Sequence, residues 1–385
     1  MRKTGKKLIG LAMITMLAVS LMTGCGSKTG STSTGAESAG SNTAGTNSST
    51  ADNTASTESS ADGSADTTSA DSSANGELTK VVVLGEFDPQ ISGQQIIAKE
   101  KGFFEEEGLD VDLQLLTDPS VSTTMVAANE AQFYSISNYQ AINLVDKGSE
   151  VCLLAPVVDA GNTQCVVGGP NLKLTSAKDL EGKKMGYTDG AGVIVAVKAM
   201  CDDLGVDFNA IKLVNLQASD MLASLESGDI DFFAAWEPWG IKAEEFGGHY
   251  LFTGTKSYLP ENEGDVSYLN FEVCIDVSKS FLNENPKACE AYVRAMMKAT
   301  DYINSNLEDA ADIIGKQINL DKDTCVSIMK KNVYKVTYDQ TFKDSCDSLA
   351  QYMADSGLNT GVVKFDSFAN TDILSGIDSS LVSFK

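Results

Sequence analysis

The chain of 385 residues contains one histidine, His249, and eight cysteines, with no Cys-x-x-Cys pair anywhere. Histidine-based catalysis and His/Cys metal chemistry are therefore disfavoured before any motif is read. Four short segments carry groups suited to holding a small molecule instead. Thr188-Asp189-Gly190-Ala191-Gly192 joins a strand-like run to a helix-like one, where free backbone N–H groups favour an anion or a carbonyl oxygen. Gly190 and Ala191 allow close approach there and Thr188 adds a hydroxyl, although a plain turn and cap would look the same. A Rossmann phosphate loop would need a third glycine where Val195 stands. Trp236-Glu237-Pro238-Trp239 follows an apolar run, so Trp236 emerges at a sheet edge as a flat wall with an N–H donor and Glu237 brings a carboxylate. The alternative is that both tryptophans pack beneath the loop. Phe87, Gln90 and Ser92 lie between the first strand and the first helix, and Ser137, Asn138 and Tyr139 open another helix, as contacts or as a cap only.

These segments need a frame, and the hydrophobic pattern supplies one. A β-branched run over 81–84, alternation over 110–116 and apolar runs over 132–136, 151–158 and 164–167 read as strands. Helices are expected over 94–101, stopped by Gly102, over about 120–128 with Ser120 as N-cap, and from Ser137 to Val145. A second set follows: a capping box at Ser176, strands over 184–187, 211–216 and 230–235, and helices over 191–204 and 219–226. After a strand over 271–277 the chain is almost wholly helical. Tyr292, Met296, Ala299 and Ile303 share one face, as do Phe342, Cys346, Leu349 and Met353, and both stripes read as core. The rhythm means an α/β body with mainly parallel sheets, in two lobes whose crossings fall near Val167 and Asn270. Ligands of open α/β sheets lie beyond the carboxyl ends of the strands, so all four segments, together with the loop 117–122, would converge on one cleft if the lobes face one another.

The first 77 residues are of another kind. Arg2, Lys3, Lys6 and Lys7 precede an apolar run over 8–21, about 14 residues against the roughly 20 that span a bilayer, so an export signal over 1–24 is expected. The sequence Leu21-Met22-Thr23-Gly24-Cys25-Gly26 resembles the bacterial lipobox, in which the cysteine becomes lipidated. Residues 26–77 carry no hydrophobic side chain larger than alanine and cannot bury enough apolar surface to offset the entropy of ordering them. The expectation is a solvated tether of roughly 40 Å root-mean-square span. With 29 basic against 53 acidic residues the formal charge is −24, which argues against nucleic acid as a partner and against adhesion to anionic lipid.

Lys101-Gly102-Phe103-Phe104-Glu105-Glu106-Glu107-Gly108-Leu109-Asp110-Val111 resembles an early segment of solute-binding proteins of ABC importers. Asp179-Leu180-Glu181-Gly182-Lys183-Lys184-Met185-Gly186 resembles one of their strands, and Ser227-Gly228-Asp229-Ile230-Asp231 with Trp236-Glu237-Pro238 resembles a stretch of the nitrate/sulfonate/taurine-type group, with Phe232 where alanine is usual. That group also includes binders of thiamine pyrimidine precursors. The resemblance covers most of 80–300 and implies a type II periplasmic-binding-protein fold, with lobe 1 formed by 78–167 and 271–385 and lobe 2 by 168–270. It also implies closure around a small solute, with Trp236 and Glu237 at family contact positions, and delivery to a permease and its ATPase by a monomeric lipoprotein anchored through Cys25 to the outer face of the cytoplasmic membrane. No cofactor, metal or enzymatic activity is expected. A surface sensor without transport and a pyrimidine-synthesising enzyme of the same fold are the other readings.

The ligand divides into two chemistries. The only arginines are Arg2 and Arg294, so a sulfonate or nitrate would rely on lysine, hydroxyls and backbone N–H groups, with Glu86, Asp88 and Glu237 nearby in opposition. A neutral or cationic nitrogen heterocycle, stacked on Phe87, Tyr139 or Trp236 and bonded to a carboxylate, is the competitor. Finally, the seven cysteines after Cys25 are expected to be mostly free, small apolar residues of the core.

Overall fold

The computed structural model describes residues 78–383. The export signal over 1–24, the tether over 25–77 and the lipid site at Cys25 lie outside the described residues. Thirteen strands run in chain order as β1 (Thr79–Glu86), β2 (Leu109–Leu116), β3 (Phe133–Ser137), β4 (Val151–Asp159), β5 (Gln164–Gly168), β6 (Lys184–Tyr187), β7 (Lys212–Asn215), β8 (Phe232–Trp236), β9 (His249–Thr253), β10 (Lys256–Ser257), β11 (Gly264–Asp265), β12 (Glu272–Ser278) and β13 (Val333–Tyr334). They form two sheets, ordered β13-β4-β12-β3-β1-β2 and β11-β10-β9-β5-β8-β6-β7. The α/β two-lobed fold expected from sequence is present.

The sheets are mixed rather than mainly parallel. Between the named strands, parallel pairing is confined to β1 with β2 and β3, and to β6 with β7 and β8. Those are the units in which a helix carries the chain back to the same edge. Strands that enter from the other sheet, β5 and β12, pair antiparallel with both neighbours. The first crossing also falls earlier than Val167. Val167 pairs with Phe233 of β8 inside the second sheet, so the chain changes lobe at 160–163. The return precedes β12, close to Asn270. The two crossing segments touch: the Ala160 N–H donates to the Phe271 carbonyl at 2.8 Å. A Cβ on Gly161 would sit 2.9 Å from the Leu269 carbonyl oxygen, so glycine there lets the hinge segments lie this close.

The first sheet is covered by the helix Pro89–Glu100 and the long helix Pro286–Ser305. The stripe Tyr292, Met296, Ala299, Ile303 is fully buried, and Phe133 stacks on Tyr292 with ring centroids 4.0 Å apart. Phe342, Cys346, Leu349 and Met353 lie on the buried face of the helix Gln340–Asp355. The seven described cysteines are all buried and all free. Burial pushes the Cys152, Cys201, Cys289 and Cys325 thiols up to about 12, and Cys165, Cys274 and Cys346 further in the same direction. We therefore expect a thiol reagent at pH 8 to leave these seven untouched in the native protein and to modify all of them in denaturant without added reductant. A need for reductant to reach that count would contradict it.

Candidate functional site

The carboxyl ends of β1 and β8 face one another across the cleft between the lobes. β1 is a buried β-branched strand that ends in Gly85-Glu86, and Asp88 then caps the following helix by accepting from the Ile91 N–H at 2.8 Å. A cavity of about 670 Å³ opens there, lined by Glu86, Phe87, Asp88, Trp236 and Trp239 with Asp118, Gln217 and Lys242 at its edges. Its volume suits a small organic ligand. Against it lies a recess of about 20 Å³, lined by the two acids together with Ser137, Gln140, Gln164, Ala191, Gly192, Trp236 and Phe271. Gly192 lets the chain pass close here: a Cβ would lie 3.0 Å from the Phe271 ring and 3.2 Å from Tyr139.

Two carboxyls dominate the site. Glu86 is 6% exposed and Asp88 4% exposed. Burial, and next the neighbouring Asp88, push the Glu86 carboxyl up to about 8, against a hydrogen bond from the Gln140 amide at 3.2 Å. Burial also pushes Asp88 up to about 7, although the Ile91 N–H holds it down in part. The pair is thus half-protonated near neutrality and can both give and accept a hydrogen bond. Two further carboxyls in β12 are perturbed alike: burial, then Asp159, raise Glu272 to about 8, and burial raises Asp276 well above the usual range.

Groups that hold protons more tightly folded than unfolded stabilise the fold below their unfolded values, near pH 4, and lose that contribution as pH rises through 7 to 8. The ligand-free protein should accordingly melt lower at pH 9 than at pH 5, by roughly 5 °C or more. A melting temperature that climbs steadily to pH 9 would contradict these assignments.

The residues expected from sequence divide. Phe87, Ser137, Ala191 and Trp236 line the cavity or its recess. Phe87 is 41% exposed, whereas Trp236 is 8% exposed. Tyr139 packs against Gly192, Gly190 forms the turn at φ +81° and Asn138 ties the hinge by donating to the Asn270 carbonyl at 3.3 Å. Ser92 and Thr188 turn inward, Ser92 accepting from the Glu86 N–H at 2.9 Å and Thr188 donating to the Leu216 carbonyl at 2.9 Å. The Gln90 amide donates to the Glu237 carbonyl oxygen at 2.8 Å. The Glu237 carboxylate is fully buried against Lys331, Tyr250 and the Ile241 N–H, away from the cavity. Among the lining residues that sequence reading did not select are Glu86, Asp88, Gln140, Gln217 and Trp239. A charged residue directly after a buried strand was the available signal for Glu86.

Among the described residues no cluster of His, Cys, Asp and Glu could hold a metal ion, and no helix is long and apolar enough to cross a membrane. Two sheets joined by two crossings, with a cleft at their strand ends, define a periplasmic-binding-protein fold. The crystal structure of the periplasmic aliphatic sulphonate binding protein SsuA from Escherichia coli is similar, with a TM-score of 0.62 at 14% identity over 76% of this chain and 97% of that one. The chain belongs to the NMT1/THI5-like family, whose model matches residues 90–318. Relatives include a protein named for binding aliphatic sulfonates in Bacillus subtilis (23% identical, covering 61% of this chain and 69% of that one). Another is a protein named for thiamine biosynthesis in Haemophilus influenzae (26% identical, covering 56% and 66%).

Proposed function

We propose that this protein is the solute-binding component of an ABC importer, exported and lipid-anchored through Cys25, and that its ligand is a nitrogen heterocycle of the aminopyrimidine type. It captures the solute between its lobes and hands it to a permease, without catalysis. The observation that carries the ligand class is the buried pair Glu86 and Asp88 beside Trp236. An aminopyrimidine presents a ring nitrogen that accepts and an exocyclic amine that donates, side by side. A carboxyl that is partly protonated near pH 7 matches that pattern in both directions, and the indole of Trp236 offers the face on which the ring stacks. Two buried acids instead repel an oxyanion. The N-terminus of the helix Pro89–Glu100, which could bind an anion, is already occupied by the carboxylate of Asp88.

The sulfonate reading has its own support. The helix Val193–Leu204 starts at Gly192 with no side-chain cap, next to the recess, and Lys242 stands at the cavity edge with its Nζ 4.8 Å from the Trp239 ring centre. A thermal-shift series on the full chain decides between the two, using alkanesulfonates, taurine and nitrate against 4-amino-5-hydroxymethyl-2-methylpyrimidine and related heterocycles. A ligand well above its dissociation constant raises the melting temperature by mass action. Stabilisation by oxyanions alone would overturn the heterocycle assignment.

A further inference from the structure

We infer that Glu237 and Lys331 form a clasp beside the hinge that positions Trp236 and holds the two lobes together around the cleft. Lys331 lies between the helix Lys322–Met329 and β13, in the first lobe, while Glu237 directly follows β8 in the second. Lys331 Nζ meets Glu237 Oε1 at 2.5 Å, with the Glu237 side chain 0% exposed and that of Lys331 27% exposed. The other hydrogen bonds of Glu237 come from both sides. Tyr250 donates its hydroxyl to Oε1 at 2.6 Å and the Ile241 N–H donates to Oε2 at 3.1 Å, both from the second lobe. The Gln90 amide of the first lobe donates to the main-chain oxygen, and the Glu237 N–H donates to the Thr163 carbonyl at the hinge, 3.0 Å away. One residue thus receives two bonds from the opposite lobe, and its chain neighbour Trp236 forms the cleft wall.

The physical consequence follows from desolvation. A buried carboxylate stripped of its cation is strongly unfavourable, and the readiest relief is water. Parting the lobes supplies that water, so loss of Lys331 shifts the ligand-free population towards the open arrangement. Lys331 also lies 5.0 Å from the Tyr250 ring centre, so its charge is held by the second lobe in two ways. The clasp rests on the two-lobed solute-binding reading, but its test needs no ligand, so its failure would leave the choice of ligand class untouched.

The sequence has only two tryptophans, and both line the cleft. Acrylamide quenching of tryptophan emission in the ligand-free full chain therefore reports lobe separation. Lys331→Met is expected to raise the quenching constant about two-fold, and Lys331→Arg to restore it to the original value. Glu237→Gln should raise it less, since no buried charge is stranded, and adding Lys331→Met to that variant should change nothing further. Lys331→Gln serves as a second variant, with a melting curve confirming a folded chain. Quenching unchanged in both Lys331→Met and Lys331→Gln, or independent additive effects of the two positions, would overturn the clasp.

Discussion

Replacing Glu86 with methionine is expected to weaken binding of an aminopyrimidine at least ~100-fold while leaving the protein as stable as before, or more so. The two halves of that expectation share one cause. Glu86 is buried at the carboxyl end of β1, where among the described residues the Gln140 amide donates to its carboxyl, and burial holds its pKa near 8. In the empty protein it is therefore a carboxyl kept in an unfavourable setting, and an unbranched apolar side chain of similar length removes the penalty. In the complex it is the group that exchanges hydrogen bonds with the heterocycle, and without it the ring nitrogen and amine are buried unpaired. The alkaline loss of melting temperature should shrink in the same variant, because one of the raised carboxyls is gone. Ethanesulfonate binding should strengthen in this variant above about pH 8, where the original Glu86 carries its charge. Calorimetric titration with both compounds and melting curves at pH 6 and 9 check all four signs. A full-affinity heterocycle site in Glu86→Met would remove Glu86 from recognition.

Trp236→Ala should produce the second large effect, a loss of affinity of roughly 10- to 100-fold together with destabilisation of about 3 kcal/mol. Trp236 is 8% exposed and lines both the main cavity and its recess, so it is at once a core residue of the second lobe and the wall of the site. The two contributions separate in the conservative variant. Trp236→Phe keeps a flat apolar face and should retain most of the affinity at a smaller stability cost. Trp239 is a useful contrast, partly exposed at the cavity edge beneath Lys242, and its replacement by alanine should cost much less stability. Equal affinity in Trp236→Ala and the original chain would show that the ring packs without touching ligand.

Much of the frame was legible because strong local signals agreed with it. Lys184–Tyr187 appears as β6 with the expected bounds, and Ser137 caps its helix through a reciprocal capping box with Gln140. Gly102 follows the first helix, as expected. Where two cap signals lay close together, the nearer one misled: Ser120 was expected as N-cap, but Asp118 takes that role one residue before Pro119. The same pairing, Asp88 before Pro89, starts the first helix five residues earlier than the apolar pattern alone suggests. The strands β9, β10, β11 and β13 went unread, since β10, β11 and β13 are two residues long and the main partner of β9, β5, is distant in sequence.

The site was less legible than the frame. Sequence places a loop at a sheet edge, but it does not say which side chains turn into the cleft. Ser92 and Thr188 satisfy nearby backbone instead, and Glu237 meets a lysine 94 residues away. Glu86 and Asp88 looked like an obstacle to an anion. Their burial together beside Trp236 became visible only once β1 and β8 were set facing each other across the cleft.

The most direct test of a solute held between the lobes is a titration of the full chain followed by tryptophan emission, because Trp236 and Trp239 both border the cavity. Addition of 4-amino-5-hydroxymethyl-2-methylpyrimidine is expected to give a saturable one-site change that is lost in Glu86→Met, while ethanesulfonate leaves the emission unchanged. Saturation by ethanesulfonate with silence from the pyrimidine, or a response that survives in Glu86→Met at full affinity, would contradict it.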